Sequence, residues 1–124
     1  MKYDDLYKVF KEEIPEGLAF LETKEKENLI DETDGIHVIF GMVIVPYILY
    51  NIQKKKKSVT NRIFSFLEKM ALCEDIKVNE VLEFTILEQL IDEGYDTLEA
   101  CRQYMGINTL QRCKEVEKYF LVSK

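Results

Sequence analysis

The sequence predicts an all-α domain, built from consecutive antiparallel helix pairs around a central apolar helix. Apolar residues recur at spacings of three and four through most of the chain, which is the period of an amphipathic helix. Residues that cap or end helices, chiefly Ser, Asp, Asn, Gly and Pro, separate these stretches. With 124 residues, 47% of them hydrophobic, the chain suits one domain, residues 1–124, whose core needs neither a disulfide nor a structural metal.

The first 34 residues form an acidic N-terminal segment that predicts two helices. The first covers residues 2–14, and Pro15 ends it or opens the next. The second covers residues 16–28, and a turn at 31–35 follows it. The apolar residues are Tyr3, Leu6, Tyr7, Phe10 and Ile14 in the first helix, and Leu18, Phe20 and Leu21 in the second.

The apolar run 36–52 has two possible conformations. Its β-branched residues favour a strand, but its apolar residues do not alternate and no second strand is available to pair with it. We predict a helix kinked near Pro46; the alternative is an extended piece up to Val45 and a helix from Pro46. The run also reaches the minimum length for a membrane span, with lysines 54–57 as an anchor. We favour the central helix of a soluble bundle, because the other helices are amphipathic and need an apolar element to pack against.

The rest of the chain predicts four helices, each with a start or stop signal. Ser58 caps a helix with a regular apolar stripe. Asp75 caps the next helix, which is mostly buried and which Gly94 closes. The last two helices begin with capping boxes, Asp96 with Glu99 and Asn108 with Gln111. The apolar residues are Val59, Ile63, Phe66, Leu67 and Met70 in the first of these helices, and Val78, Val81, Leu82, Phe84, Ile86, Leu87, Leu90 and Ile91 in the second. The third contains Leu98, and the fourth contains Leu110, Cys113, Val116 and Phe120.

Charge divides the chain into three blocks. The net charge is −6 and the isoelectric point is near 4.9. Residues 1–34 carry −6, residues 35–72 carry +5 and residues 73–124 carry −5. This balance argues against direct nucleic-acid binding, which needs a basic face, and favours a basic protein as partner. The alternative is that the acidic faces only keep the protein soluble. The lysines 54–57 suit a helix C-terminus, where cations are stabilising.

No pattern in the sequence predicts catalysis. Cys73, Cys101 and Cys113 form no Cys-x-x-Cys pair, so we expect reduced, core-facing thiols. The one histidine, His37, lies in the apolar run near aspartates, which favours a structural role. Phosphate-loop, zinc-protease and nucleophile-elbow motifs are absent. We therefore expect no catalytic residue, no cofactor and no metal. The charged N-terminus does not resemble a signal peptide, and we expect a cytoplasmic protein.

Four segments resemble a family of small helical bacterial proteins. They are GIHVIFG at 35–41 with Val43 and Pro46, FLEKMA at 66–71, Glu83 with Glu88 and Leu90, and YMGINT at 104–109. The resemblance covers about residues 35–120 and leaves 1–34 outside. In size and acidity the family is similar to the immunity proteins of contact-dependent growth inhibition and other polymorphic toxin systems. The resemblance implies a non-enzymatic protein that binds a toxin domain from a neighbouring cell, usually a nuclease, and blocks its active face.

Acidic residues at turns and helix ends are the candidates for binding such a partner. A nuclease attracts phosphate with a basic face, and an acidic inhibitor matches that charge. Tyr95 is a candidate aromatic anchor. The predicted partner-binding residues are Asp31, Glu32, Asp34, Asp92, Glu93, Tyr95 and Asp96.

Three other functions fit the same sequence. The main alternative is a non-catalytic adaptor or regulatory subunit in a bacterial protein complex. A membrane-associated protein would be anchored by residues 36–52. A cysteine-dependent enzyme would need a thiol of low pKa. The sequence predicts no particular oligomeric state.

Overall fold

The computed structural model describes residues 1–31 and 33–123, with side chains as far as residue 120. Over this part of the chain the fold is all-α, as predicted, with seven helices and no strand. Two helices, α3 and α5, each contain a π-helical stretch, Phe40–Ile44 and Val81–Leu87 respectively, where hydrogen bonds join residues five apart. The helices are α1 (Leu6–Glu13), α2 (Leu18–Glu27), α3 (Ile36–Gln53), α4 (Lys57–Leu72), α5 (76–92), α6 (Tyr95–Arg102) and α7 (Ile107–Ser123).

Helix α1 contributes its predicted apolar face to the core. Leu6, Phe10 and Ile14 are buried. The ring of Phe10 meets the ring of Phe66 edge-on, with 5.1 Å between the centroids. Edge-to-face contact of this kind stabilises an aromatic pair beyond its burial. The N-terminal helix is therefore joined to α4 within the same core.

Helix α2 buries a narrower face than the sequence predicts. A 3₁₀ turn, Pro15–Gly17, leads directly into it. Leu21 is buried and Phe20 packs against Tyr47 at 5.2 Å between centroids. Leu18, predicted on the apolar face, is exposed. It is the first residue of α2, and the turn before it exposes Pro15 and Glu16.

The apolar run is a helix throughout, so the predicted helix is confirmed and the extended alternative is wrong. The π-helical stretch ends two residues before Pro46. Proline has no N–H, so the Met42 carbonyl four residues earlier loses its usual donor. The side-chain amide of Asn28 donates to that carbonyl at 3.2 Å. The helix can therefore contain a proline without leaving this backbone oxygen unpaired.

Helix α3 is the one helix in the described residues that is long and apolar enough to cross a membrane, judged by length and composition. Its mean hydropathy is 1.6, and 44% of it is buried inside the protein. Buried residues such as Phe40, Ile44 and Ile48 lie in one core with α1, α4 and α5. This position agrees with the central helix of a bundle.

The lysines 54–57 link α3 to α4 in a tight turn. Lys54 ends α3, where a cation is favourable. Lys55 adopts a positive φ of 55°, and α4 then begins at Lys57. The predicted Ser58 cap is therefore wrong, because the turn starts the helix before Ser58 is reached. The apolar stripe is confirmed, with Ile63, Phe66, Leu67 and Met70 buried and Val59 partly buried.

Helix α5 begins and ends where the sequence predicts. The Asp75 carboxylate accepts a hydrogen bond from the backbone N–H of Lys77 at 3.0 Å, which confirms the N-cap. Gly94 follows the helix with a φ of 111°, a conformation that a side chain would strain. The N-cap and the terminal glycine thus fix both ends of the helix.

Phe84 is the main error in the predicted core. Its side chain is 54% exposed, although the sequence predicts a mostly buried helix with Phe84 among its apolar residues. Phe84 lies inside the π-helical stretch Val81–Leu87. The apolar residues of α5 lie around most of the helix, so their pattern did not separate the outward-facing Phe84 from the buried ones.

Helix α6 starts earlier than its predicted capping box. Its first residue is Tyr95, directly after Gly94. Asp96 therefore lies inside the first turn and its side chain makes no cap hydrogen bond, so the predicted cap is wrong. Glu99, the expected partner in the box, instead pairs with Arg102 one turn later.

The N-terminus of α7 is capped from another helix. The helix starts at Ile107, so Asn108 lies in the first turn and the predicted box with Gln111 is wrong. The Glu68 carboxylate, on α4, accepts hydrogen bonds from the backbone N–H groups of Asn108 and Thr109 at 3.1 and 2.8 Å. It also accepts from the Asn108 amide at 2.9 Å and the Thr109 hydroxyl at 2.7 Å. One carboxylate therefore fastens α7 to α4.

Two ion pairs join the basic middle block to the N-terminal acidic block, and another lies within the C-terminal acidic block. Two of them connect α4 to the end of α1 and the turn that follows it, and a third connects α7 to α5. Each pair neutralises one acidic side chain through a contact within the fold. The pairs are Arg62 with Glu16, Lys69 with Glu13, and Arg112 with Glu83.

Candidate partner-binding surface

Four of the predicted partner-binding residues lie where α5 ends and α6 begins. We call Asp92, Glu93, Tyr95 and Asp96 the acidic corner. All four side chains are exposed, and Tyr95 is 73% exposed. Among the described residues, no hydrogen bond or ion pair engages the three carboxylates. Their charge is therefore not neutralised within this part of the protein.

A groove of about 460 Å³ separates the acidic corner from the end of α3. Glu93 and Asp96 form its acidic side. Leu49, Ile52 and Gln53, at the end of α3, form the opposite side. The lining residues are Leu49, Ile52, Gln53, Glu93, Asp96, Thr97 and Ala100.

The predicted residues Asp31 and Asp34, which precede α3, accept hydrogen bonds within their own turn. Asp31 accepts hydrogen bonds from the hydroxyl and the backbone N–H of Thr33, and these lower the pKa of Asp31. Asp34 accepts from the backbone N–H of Asp31 at 2.9 Å. Glu32 lies outside the described residues. This segment therefore has a structural role that the acidic corner lacks.

The structure does not bring the two acidic segments together. Asp34 lies two residues before the start of α3, and the groove at the acidic corner includes Ile52 near its other end. At 1.5 Å per residue, the 16 steps from Ile36 to Ile52 span about 24 Å. The predicted residues thus form two separate surfaces, at opposite ends of one helix.

A neighbouring surface that the sequence did not predict carries exposed aromatic side chains. We call Phe84, Val116 and Tyr119 the aromatic cleft, which lies between α5 and α7 and has a volume of about 280 Å³. Tyr119 is 66% exposed, and Glu83 and Glu115 flank the cleft. A second groove of about 320 Å³ shares Phe84 and reaches Asp92. The aromatic cleft is therefore adjacent to the acidic corner.

The sequence of α5 contains a spacing pattern that indicates this surface. Glu80, Phe84, Glu88 and Asp92 recur every fourth residue, which places them on a common side of a helix. Carboxylates mark the exposed face of an amphipathic helix, so an aromatic residue in register with them is expected to be exposed as well. This spacing therefore predicts that Phe84 is exposed together with its acidic neighbours.

Comparison with known proteins gives one match. A family described as a domain of unknown function, DUF7674, matches residues 7–120. The chain belongs to this family. The match begins in α1, so the family includes the N-terminal helices as well as the segments from residue 35 onward. No curated protein and no solved structure matched the chain.

Two of the three cysteines of this DUF7674 chain, Cys101 and Cys113, are buried, and Cys73 is partly buried. Burial raises the pKa of Cys101 to about 12 and that of Cys113 to about 11. Thiols with raised pKa values stay protonated at neutral pH and are weak nucleophiles. His37 Nδ1 shares a hydrogen bond with the Thr85 hydroxyl at 2.6 Å. Within the described residues, no group of three or more His, Cys, Asp or Glu side chains is placed to hold a metal ion.

Proposed function

We propose that this chain is a cytoplasmic immunity protein that binds a basic bacterial toxin domain, of nuclease type, and covers its active face. The acidic corner carries the proposal, because three exposed carboxylates, with no cationic partner among the described residues, lie beside an exposed tyrosine. The family of unknown function neither favours nor opposes this role. The resemblance to immunity proteins supplies the class of partner, and the charge of the surface supports it.

Charge complementarity is the physical basis of the proposed binding. A nuclease needs a basic face to hold phosphate. An acidic protein that meets this face is steered to it by long-range attraction, which raises the association rate and weakens with added salt. Tyr95 would supply an amphipathic contact at the centre of the patch. Carboxylates and an aromatic ring together suit recognition of a basic protein.

The C-terminal acidic block supports the proposal better than the N-terminal one. Glu13 and Glu16 are paired with cations of α4, and Asp31 and Asp34 bond within their own turn. Because the acidic corner has no such contacts among the described residues, its carboxylates can pair with a partner without breaking bonds in the fold. We therefore assign the main contact to Asp92, Glu93, Tyr95 and Asp96.

The proposed role is non-catalytic. A cysteine-dependent enzyme needs a thiol of low pKa, whereas burial raises the pKa of both Cys101 and Cys113. Inhibition by covering a surface needs no reactive group. It requires a rigid scaffold and exposed complementary charge, and the acidic corner is held between two helices packed on the core.

Growth measurements test the proposal directly. The C-terminal domain encoded by the reading frame directly upstream is expressed with and without this chain. We expect the domain to arrest growth alone and co-expression to restore it. The triple variant Asp92→Asn, Glu93→Gln and Asp96→Asn should restore growth less well, because it removes the unpaired negative charge of the acidic corner.

A matched triple variant controls for the loss of charge. Asp4→Asn, Glu12→Gln and Glu22→Gln remove the same number of exposed carboxylates from the N-terminal helices, and this protein should restore growth as the unmodified chain does. Equal rescue by both triple variants would overturn the assignment of the surface. A harmless upstream domain, or killing in both strains, would overturn immunity for that pair and favour the adaptor or regulatory subunit.

A further inference from the structure

We infer that the aromatic cleft is a second contact for the same basic partner, and that it receives one large apolar side chain from a segment rich in lysine or arginine. The inference deepens the proposed function and rests on it for the identity of the partner. The aromatic cleft itself consists of Phe84, Val116 and Tyr119, with Glu83 and Glu115 at its sides.

The aromatic cleft has an apolar surface that the fold leaves uncovered among the described residues. Phe84 and Tyr119 are each more than half exposed and line the same depression. Its volume of about 280 Å³ has room for several water molecules, each of which occupies about 30 Å³ in the liquid. An apolar side chain that displaces this water gains the hydrophobic contribution of both rings.

The charge around the cleft indicates the chemistry of the occupant. Glu80, Glu88 and Asp92 flank Phe84 along α5 and have no ion pair in the described part of the chain. On α7, Arg112 is already paired with Glu83 of α5 at 2.8 Å. An incoming segment therefore meets an apolar centre with negative charge beside it, which suits an apolar anchor flanked by cations.

The same charge disfavours a second copy of this chain as the occupant. Each copy carries a net charge of −6, and like-charged surfaces repel one another. The groove that shares Phe84 extends to Asp92, which is also part of the acidic corner. One basic partner could therefore contact both surfaces at once, with its apolar anchor in the cleft and its other cations at the acidic corner.

Peptide binding followed by NMR tests the inference without any toxin. The probe is an amidated peptide of lysines with one tryptophan at its centre, added to the full-length, isotope-labelled chain. We expect shifts at Phe84, Val116 and Tyr119, and affinity that weakens with salt. Replacing the tryptophan with alanine should weaken binding about tenfold, the loss typical of one interface anchor. A peptide with glutamates in place of the lysines should not bind.

Variants of the cleft decide whether the contact is specific. The double variant Phe84→Ser and Tyr119→Ser removes side chains that are mostly exposed, so the fold should survive. It should weaken peptide binding about tenfold. The control Leu29→Ser changes an apolar residue that is 87% exposed and outside the cleft, and it should bind as the unmodified chain does.

Three results would overturn the inference: no peptide binding, binding unchanged by the double variant, or shifts confined to other surfaces. The peptide assay and the growth assay fail independently. Peptide binding at the cleft with no rescue of growth would refute toxin neutralisation, whereas rescue that the double variant leaves unchanged would refute the cleft alone.

Discussion

Two regions of the molecule use carboxylates in opposite ways. At the junction of α4 and α7, Glu68 accepts four hydrogen bonds from Asn108 and Thr109. At the acidic corner, Asp92, Glu93 and Asp96 accept none from the described residues. Glu68 is also the only acid in the basic block 35–72. Its charge is used to hold the fold, whereas the charge of the acidic corner remains available to a partner.

This difference separates stability from binding. Surface carboxylates without partners contribute little to the free energy of unfolding, while a carboxylate that caps a helix contributes about 1 kcal/mol or more. Substitutions at Glu68 should therefore change stability, and substitutions at the acidic corner should change association. The following predictions test that separation, from the largest expected effect on stability to the smallest.

Removing the Glu68 side chain should have the largest effect. Glu68→Ala leaves the first turn of α7 without its cap and separates α7 from α4, and we expect the free energy of unfolding to fall by about 2 kcal/mol. Urea unfolding followed by circular dichroism measures the change. Glu74→Ala, which removes an exposed glutamate near the same end of α4, should stay within about 0.5 kcal/mol of the unmodified chain. Equal losses in the two variants would contradict the role of Glu68.

Substitution of Gly106 should displace the same carboxylate. A Cβ at this position would lie 2.5 Å from Glu68 Cδ, so the carboxylate would have to move. Because it is the end of a flexible side chain, we expect Gly106→Ala to cost about 1 kcal/mol of stability, less than Glu68→Ala.

A double-mutant cycle in urea separates this effect from a general cost of alanine. In the Glu68→Ala background, the three atoms that would lie nearest to the Cβ, all of the Glu68 side chain, are gone. Gly106→Ala should then be neutral, or stabilising by a few tenths of a kcal/mol, because it restricts the unfolded chain. The same loss in both backgrounds would show that the two residues act independently.

The capping role of Glu68 predicts a dependence of stability on pH. Burial opposes ionisation, but the hydrogen bonds from Thr109 and Asn108 outweigh it and hold the pKa of Glu68 below its ordinary value. Its contribution is therefore complete above the unfolded pKa of about 4.3 and is lost as the pH falls through the lower folded pKa. In urea titrations, the stability gap between the unmodified chain and Glu68→Gln should narrow below about pH 4.3. A constant gap would exclude this linkage.

The acidic corner should show the smallest effect on stability and the clearest effect on association. For Asp92→Asn, Glu93→Gln and Asp96→Asn together, we expect stability within about 0.5 kcal/mol of the unmodified chain. The association rate with a basic partner should fall, and its dependence on salt should become weaker. Stopped-flow mixing at several salt concentrations measures both. A slower rate with unchanged salt dependence would point to shape rather than charge.

The sequence predicts the parts of this fold that depend on local contacts. Helix positions, the cap at Asp75 and the stop at Gly94 follow from residues close together in the chain, and the structure confirms them. The cap of α7 could not be predicted in this way, because Glu68 lies 40 residues before Asn108. A local pattern assigned that cap to Asn108, which lies two residues past the N-cap position of a helix that begins at Ile107.

The candidate site was predictable only in part. The acidic residues of the α5–α6 turn are exposed as expected, but the distance between the two acidic segments depends on the packing of α3 and is not encoded in their spacing. Phe84 was counted with the core because apolar residues lie around most of α5, which predicts a mostly buried helix. Which side of such a helix stays exposed depends on how its neighbours pack, and the local sequence does not specify that packing.

The π-helical stretch Val81–Leu87 determines the direction in which the later residues of α5, such as Glu88 and Asp92, face. A π turn accommodates more residues than an α turn, and each residue of a regular α-helix advances by about 100° around the axis. If Val81–Leu87 became a regular α-helix without losing a residue, everything after it would turn by about that angle. Glu88 and Asp92 would swing toward the interior and apolar residues would emerge. The direction in which α5 presents its charges is therefore fixed by the number of residues in the helix as much as by their chemistry.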